Sequence, residues 1–282
     1  MPIDLSGKPI FIAGASSGIG AATARACAAA GMPVALAARR THKLEEVAES
    51  CQTHGITTTA IECDVTDPDA CEHAIAEAEA KLGPLHAAFA NAGFGQEDTL
   101  LDMPDADVRA MFETNFFGTL NILRPAAERM KRRNSGHLLI CASCLSVLPT
   151  PWYSIYSATK AAQHHIGRAL DVELRDHGVR CSTVHPVGTK TEFFDEMKAR
   201  QGSLTIAGSS ESFMQTPDTV ARAIVRCLKK PRPEVWTSPI AAIGLKAAAL
   251  MPGLTGRVIR RSIQKRLRER DADQSRDSST TA

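Results

Sequence analysis

Net charge is nearly missing from this chain. Its 33 lysines and arginines stand against 31 acids, a formal +2 over 282 residues, so composition gives no argument for a nucleic acid or another polyanion as partner. A small molecule is expected instead. A secretory start is also missing, since residues 1–8 include Asp4 and hold no basic run ahead of a long apolar stretch; a cytoplasmic location is the expectation. Residues 134–159 carry no formal charge, but Pro149, Pro151 and several hydroxyl residues interrupt them. That composition suits a buried strand and a site loop better than a membrane span. No second cysteine pair or nearby histidine completes a zinc set around Cys141 and Cys144, so no metal is expected. All eight cysteines (Cys27, Cys51, Cys63, Cys71, Cys141, Cys144, Cys181 and Cys227) are spread mostly through apolar or helical stretches, as reduced core thiols are. No repeat period is visible, and no linker divides the first two hundred or so residues.

What is present is a rhythm. With 44% hydrophobic and 23% charged residues the proportions are those of an ordinary globular chain. Short apolar runs recur at 9–13, 34–38, 58–61, 87–90, 137–142 and 179–184, each followed by a helix-like stretch. The alternation predicts an α/β fold: a single Rossmann-type, doubly wound parallel sheet with helices on both faces. Asp67 before Pro68 and Thr216 before Pro217 each place a capping oxygen ahead of a proline at the first helical position, predicting helices over 70–82 and 220–228. Residues 1–237 are expected to form one domain, 238–273 a helical extension, and 274–282, polar and rich in Ser and Thr, a disordered tail. Residues 189–215 break the rhythm, mixing Gly202 and Gly208 with Phe193, Phe194, Met197 and Phe213. An irregular, mobile segment over a pocket is expected there.

The first run leads into Gly14-Ala-Ser16-Ser17-Gly18-Ile19-Gly20 and an Ala-rich helix over 21–30. Glycines let backbone approach a pyrophosphate, and the helix N-terminus offers free N–H groups and a favourable dipole. About twenty residues on, an NAD site would present an acid to the ribose hydroxyl. Here Ala37-Ala38-Arg39-Arg40 stands instead, two guanidinium groups suited to a 2′-phosphate, so NADP(H) is the expected cofactor. Asp64 and Val65 end the third run, and Asn91, Ala92 and Gly93 the fourth, where strand carboxyl ends meet a ligand crevice. Asp64 could accept from the adenine amino group or simply cap a helix.

Gly14-x-x-x-Gly18-x-Gly20, Asn91-Ala92-Gly93, Asn115, Ser143 and Tyr156-Ser-Ala-Thr-Lys160 together resemble the short-chain dehydrogenase/reductase family in order and spacing, over roughly residues 5 to 235. The resemblance implies an oxidoreductase that interconverts a carbonyl and its alcohol. Tyr156 and Lys160, four apart on a predicted helix, share one face; a neighbouring ammonium favours the phenolate, bringing the tyrosine toward a useful acid/base range. The family likeness further implies that Lys160 holds the nicotinamide ribose, Ser143 bonds the substrate oxygen, and Asn115 keeps a water-linked proton relay in place. Pro186, Gly188, Thr189 and Thr191 follow the sixth run on the cofactor side. The sequence departs from the family in two places: Ala13 replaces the usual Thr, and in Pro186-Val187-Gly188 the glycine is displaced by one.

Tyr153 lacks a lysine at its fourth position, so it is read with Leu148 and Trp152 as pocket wall, joined by Phe193, Phe194 and Met197. Those side chains suggest an apolar carbonyl substrate. Small residues along the Tyr156 helix, among them Ala158, Ala161, Ala162 and Ala169, could let a second helix approach; the resemblance implies a homodimer or homotetramer. Residues 240–254 form an apolar stretch that a basic one follows, with Arg257, Arg260, Arg261, Lys265, Arg266, Arg268 and Arg270; the pair reads either as a solvated helix or as a contact for an anionic membrane surface or a partner. A nucleotide-binding sensor that kept the fold and lost turnover is the alternative to an enzyme.

Overall fold

The computed structural model describes residues 1–199 and 214–264. Its frame is a parallel sheet of seven strands, β1 (Ile10–Ala13), β2 (Val34–Ala38), β3 (Thr58–Glu62), β4 (Ala87–Ala90), β5 (Gly136–Cys141), β6 (Val179–His185) and β7 (Glu234–Trp236), in the order β3-β2-β1-β4-β5-β6-β7. The helices between them are α1 (Gly18–Ala29), α2 (Thr41–Gln52), α3 (Pro68–Leu82), α4 (Asp105–Phe112), α5 (Gly118–Arg132), α6 (Ser154–Glu173), α7 (Glu192–Ala199) and α8 (Pro217–Lys229). Two more, α9 (Pro239–Leu250) and α10 (Pro252–Gln264), follow the last strand. The expected doubly wound sheet is therefore present.

Both faces of the sheet are covered because its central strands are apolar on both sides. Ile10, Ile12, Val34, Leu36 and Phe89 point into one buried cluster, which Leu44 of α2 and Val220, Ile224 and Leu228 of α8 complete. Their neighbours Phe11, Ala13, Ala35, Ala37 and Ala88 point into the other, which α3 and α5 close with Ile75, Ala78, Ile122 and Met130. Alternation at period two thus feeds two cores; only edge strand β3 leaves one face exposed, at Ala60 and Glu62. Six of the strands lie where the apolar runs predicted them. β7 went unpredicted, since a three-residue strand between prolines and charges offers too short a pattern to read.

Local capping agrees at one end and differs at another. Asp67 accepts hydrogen bonds from the amides of Asp69 and Ala70 and starts α3. Thr216 stands at the start of α8 but makes no side-chain cap; its hydroxyl lies 3.1 Å from that of Thr219. The helix begins there all the same, because Pro217 presets its first turn. Within the 189–215 segment the expectation of irregular chain is corrected over Glu192–Ala199, which is helical, with Glu192 and Asp195 in the first turn complementing the dipole. Residues 200–213, the tail 274–282 and the end of the 238–273 extension lie outside the described residues.

Candidate active site

Strand order reverses between β1 and β4, and the crevice opened at the carboxyl ends of those strands is where a doubly wound sheet takes its ligand. A cavity of ≈ 540 Å³ runs there from Gly14, Ser16, Ser17, Gly18 and Ile19 past Arg39 and Arg40 to Ser143, Tyr156 and Lys160. Its walls also include Asp64, Val65, Asn91, Ala92, Gly93, Pro186, Gly188, Thr189, Thr191, Tyr153, Phe193 and Phe194. Almost every residue singled out in the sequence is therefore brought to one place. Gly20, Asn115, Leu148, Trp152 and Met197 are not on that wall. Met197 turns into the protein interior, 4% exposed, while Trp152 adopts φ +64° with its carbonyl accepting from the Asp98 amide.

The glycine turn fits a dinucleotide on steric grounds. Gly14 has φ +68°, and a Cβ there would lie 2.7 Å from the Ala92 Cα; one on Gly20 would lie 2.1 Å from the Gly14 carbonyl oxygen. Only glycine lets the turn fold this tightly against the β4 loop. Asn91 locks the contact, its Nδ2 donating to the carbonyls of Gly14 at 3.0 Å and Ala13 at 3.3 Å. At the start of α1, Ser17 makes no side-chain cap and no acid occupies the first turn. Free N–H groups and the positive end of the dipole there suit a pyrophosphate.

Arg40 is fixed beside that turn. Its guanidinium donates to the Ser16 hydroxyl at 3.1 Å and the Ser17 hydroxyl at 3.0 Å, and to Glu192 Oε2 at 3.0 Å. Lys43 holds the other Glu192 oxygen at 2.6 Å, and these two cations keep the Glu192 carboxyl below its usual range. Arg39 is freer, 74% exposed and 3.8 Å from Asp64. Asp64 spends Oδ1 on the amide and hydroxyl of Thr66, a local turn and not the helix cap left open for it, since Asp67 caps α3.

At the other end of the cavity, α6 carries Tyr156 and Lys160 on one face. Lys160 is 4% exposed, and its Nζ donates to the Cys141 carbonyl at 2.8 Å while standing 5.6 Å from the centre of the Tyr156 ring. Burial lowers its pKa. The expectation that this ammonium brings Tyr156 toward neutrality is corrected here. Burial dominates and raises the phenol above its ordinary value, with hydrogen bonding to Ser143 pulling the other way. The ammonium is held at the end of β5 by the Cys141 carbonyl. Tyr156 is thus a protonated phenol in this state, equipped as a donor.

Supporting groups explain why these side chains sit where they do. Asn115 lies in a π-helical turn, Glu113–Phe117, between α4 and α5. Its Oδ1 accepts from the Phe94 amide at 2.9 Å, and its Nδ2 donates to the Phe94 carbonyl at 2.9 Å and to Thr159 at 3.1 Å. The side chain therefore ties the loop after β4 to α6, while its backbone carbonyl accepts from Gln163 at 2.6 Å and Thr119 at 2.7 Å. Ser143 accepts from the Leu145 amide at 3.1 Å, and its carbonyl meets His185 Nδ1 at 3.1 Å. His185, stacked on Trp236 at 4.4 Å, is pushed down to about 4 by burial and is neutral near pH 7. The sequence flagged neither Gln163, Glu192 nor His185; only the acid directly after Thr191 hinted at the second.

His164, His185 and Glu234 come within 4.8 Å of one another, yet their donors are committed. Glu234 accepts from Lys246 at 2.6 Å, Trp236 at 2.9 Å and Arg168, and His185 Nε2 lies 2.9 Å from Thr183. Two cations on the one carboxylate make this a hydrogen-bonded cluster rather than a metal site.

A dinucleotide cradle at one end and a Ser, Tyr and Lys at the other define an oxidoreductase that works on a nicotinamide cofactor. The sequence model of the short chain dehydrogenase family matches residues 8–202, and the chain belongs to that family. It is an oxidoreductase of alcohol or carbonyl groups. It is 31% identical over 214 residues to a 2,3-dihydro-2,3-dihydroxybenzoate dehydrogenase of Bacillus subtilis, covering 74% of this chain and 81% of that one. Among solved structures it resembles an alcohol dehydrogenase from the archaeon Thermococcus sibiricus complexed with 5-hydroxy-NADP: TM-score 0.71, 29% identity, 81% of this chain and 95% of that chain. A short chain dehydrogenase/reductase from Burkholderia phymatum in complex with NAD has the same fold, with TM-score 0.81 at 24% identity over 90% of this chain and 96% of that one.

Proposed function

We propose that the chain is an NADPH-dependent carbonyl reductase, able also to oxidise the matching alcohol, on an apolar substrate. The observation that carries this reading is one cavity with Arg39 and Arg40 beside its glycine turn and Ser143, Tyr156 and Lys160 at its far end. When bound, the nicotinamide supplies hydride to the substrate carbon. Ser143 and Tyr156 orient the carbonyl oxygen, and the Tyr156 hydroxyl gives it a proton as negative charge develops. Lys160, held by Cys141, holds the nicotinamide ribose and supplies positive charge behind the tyrosine when its proton leaves. Arg40, with Arg39, takes the 2′-phosphate. Phe193, whose ring centre lies 5.6 Å from that of Tyr156, gives the mouth an apolar wall with Phe194. The cofactor preference rests on the arginines and the missing acid at the end of β2. Pairing as a homodimer or homotetramer belongs to the same proposal, supported by small exposed positions on α6 and by Val172, 72% exposed at its end.

A panel of ketones and alcohols tested with NADPH and NADP checks the assignment. Tyr156→Phe should leave cofactor binding intact and remove nearly all turnover, because only the transferable proton is lost. A variant that kept most of its activity would require another acid.

A further inference from the structure

The two helices after β7 are held firmly but bury little. Ser238 caps α9, its Oγ accepting from the Ala241 amide at 3.3 Å, and Pro239 opens the first turn. Lys246 turns back to the body, bonding Glu234 at 2.6 Å and standing 5.3 Å over the Trp236 ring. Thr255 of α10 donates to the Ala248 carbonyl at 2.7 Å, fixing the 112° bend between the helices. Yet no residue of α9 is buried. Ile240 is 85% exposed and Leu250 84%, and Ile243, Met251, Leu254 and Val258 are exposed with them. Ile240, Ile243 and Leu250 fall at spacings of three and seven, one face of a helix.

Charge says what covers that face. From residue 235 to residue 268 there is no acid, while Arg257, Arg260 and Arg261 stand exposed on α10 and three further basic residues precede Glu269. A second copy docked two-fold on this face would set those arginines against their own equivalents with no counter-acid. Among the described residues no single helix is long and apolar enough to span: α9 has 12 residues, about 18 Å of helix against a hydrocarbon layer of about 30 Å, and α10 is bent 112° from it. We infer that α9 and α10 lie on an anionic membrane surface, apolar side chains in the acyl boundary and arginines among lipid phosphates and carboxylates. Because α9 packs against the Cys144–Ser146 turn next to Ser143, docking keeps the cavity beside the lipid. The inference stands apart from the cofactor assignment.

Flotation of the full chain with phosphatidylcholine vesicles, with and without phosphatidylserine, tests it. The chain should float with the anionic vesicles only, and less at high salt. Replacing Arg257, Arg260 and Arg261 by Gln should weaken that partitioning by about a hundredfold. Ile243→Glu with Leu250→Glu should abolish it while keeping the melting temperature, since both positions are exposed. Failure to float, or equal flotation with neutral vesicles, overturns the inference. So does a drop in oligomer size when the double glutamate variant is run on a sizing column, which would make this face a self-interface.

Discussion

Arg40→Ala should separate the two nicotinamide cofactors. A charge-assisted hydrogen bond contributes about 1.5–3 kcal/mol, but the Arg40 side chain is 37% exposed and shares its charge with Glu192 at 3.0 Å and Glu196 at 3.7 Å. Solvent screening and those two acids set the loss near the low end, about 1.5 kcal/mol, or roughly tenfold in the Kd for NADPH. NADH has no 2′-phosphate. Removing Arg40 also frees Ser16 and Ser17, so any damage to the turn itself should weaken both cofactors alike, and the ratio of the two affinities isolates the phosphate contact. Fluorescence titration of wild type and variant with NADPH and NADH, at low and high salt, measures it, and the NADPH advantage should shrink as salt rises. Ala38→Asp with Arg39→Ala should reverse the preference, because the new carboxylate repels the phosphate and accepts from the ribose hydroxyl. Equal wild-type affinities, or an equal loss for both cofactors in Arg40→Ala, would reduce the arginine to a tie between the glycine turn and α7.

Two further outcomes concern the frame around the site. Asn115→Ala removes the acceptor and donor that hold Phe94 and the bond to Thr159; it should cost about 2–3 kcal/mol, lowering Tm by roughly 4–12 °C, and an unchanged Tm would show that the side chain holds nothing. Burial lowers His86 and His185 to about 4 and His137 to about 3 from an ordinary 6.5. They stay neutral when folded but take up protons when unfolded, so the stability they contribute is full above pH 6.5 and drains away as pH falls toward 4. Melting curves across that window check it, and a flat Tm would refute it.

The sequence determined the sheet through central strands that are apolar on both faces, and the cradle through glycines whose replacement would collide with Ala92 and with the turn itself. It also placed Tyr156 and Lys160 on one helical face, because a spacing of four is enough for that. These are local rules, which need no partner from afar. Tertiary structure decided what depends on distant segments meeting. It put the Lys160 ammonium on the Cys141 carbonyl, and it made burial the main influence on Tyr156. It paired Arg40 with Glu192 across 152 positions of chain, and used Asn115 to hold Phe94. It sent Met197 inward, since a helix in place of the expected loop gives that segment an inside and an outside. It also left the apolar face of α9 uncovered: hydrophobic spacing says that a helix has such a face, and only the packed molecule says whether anything lies against it.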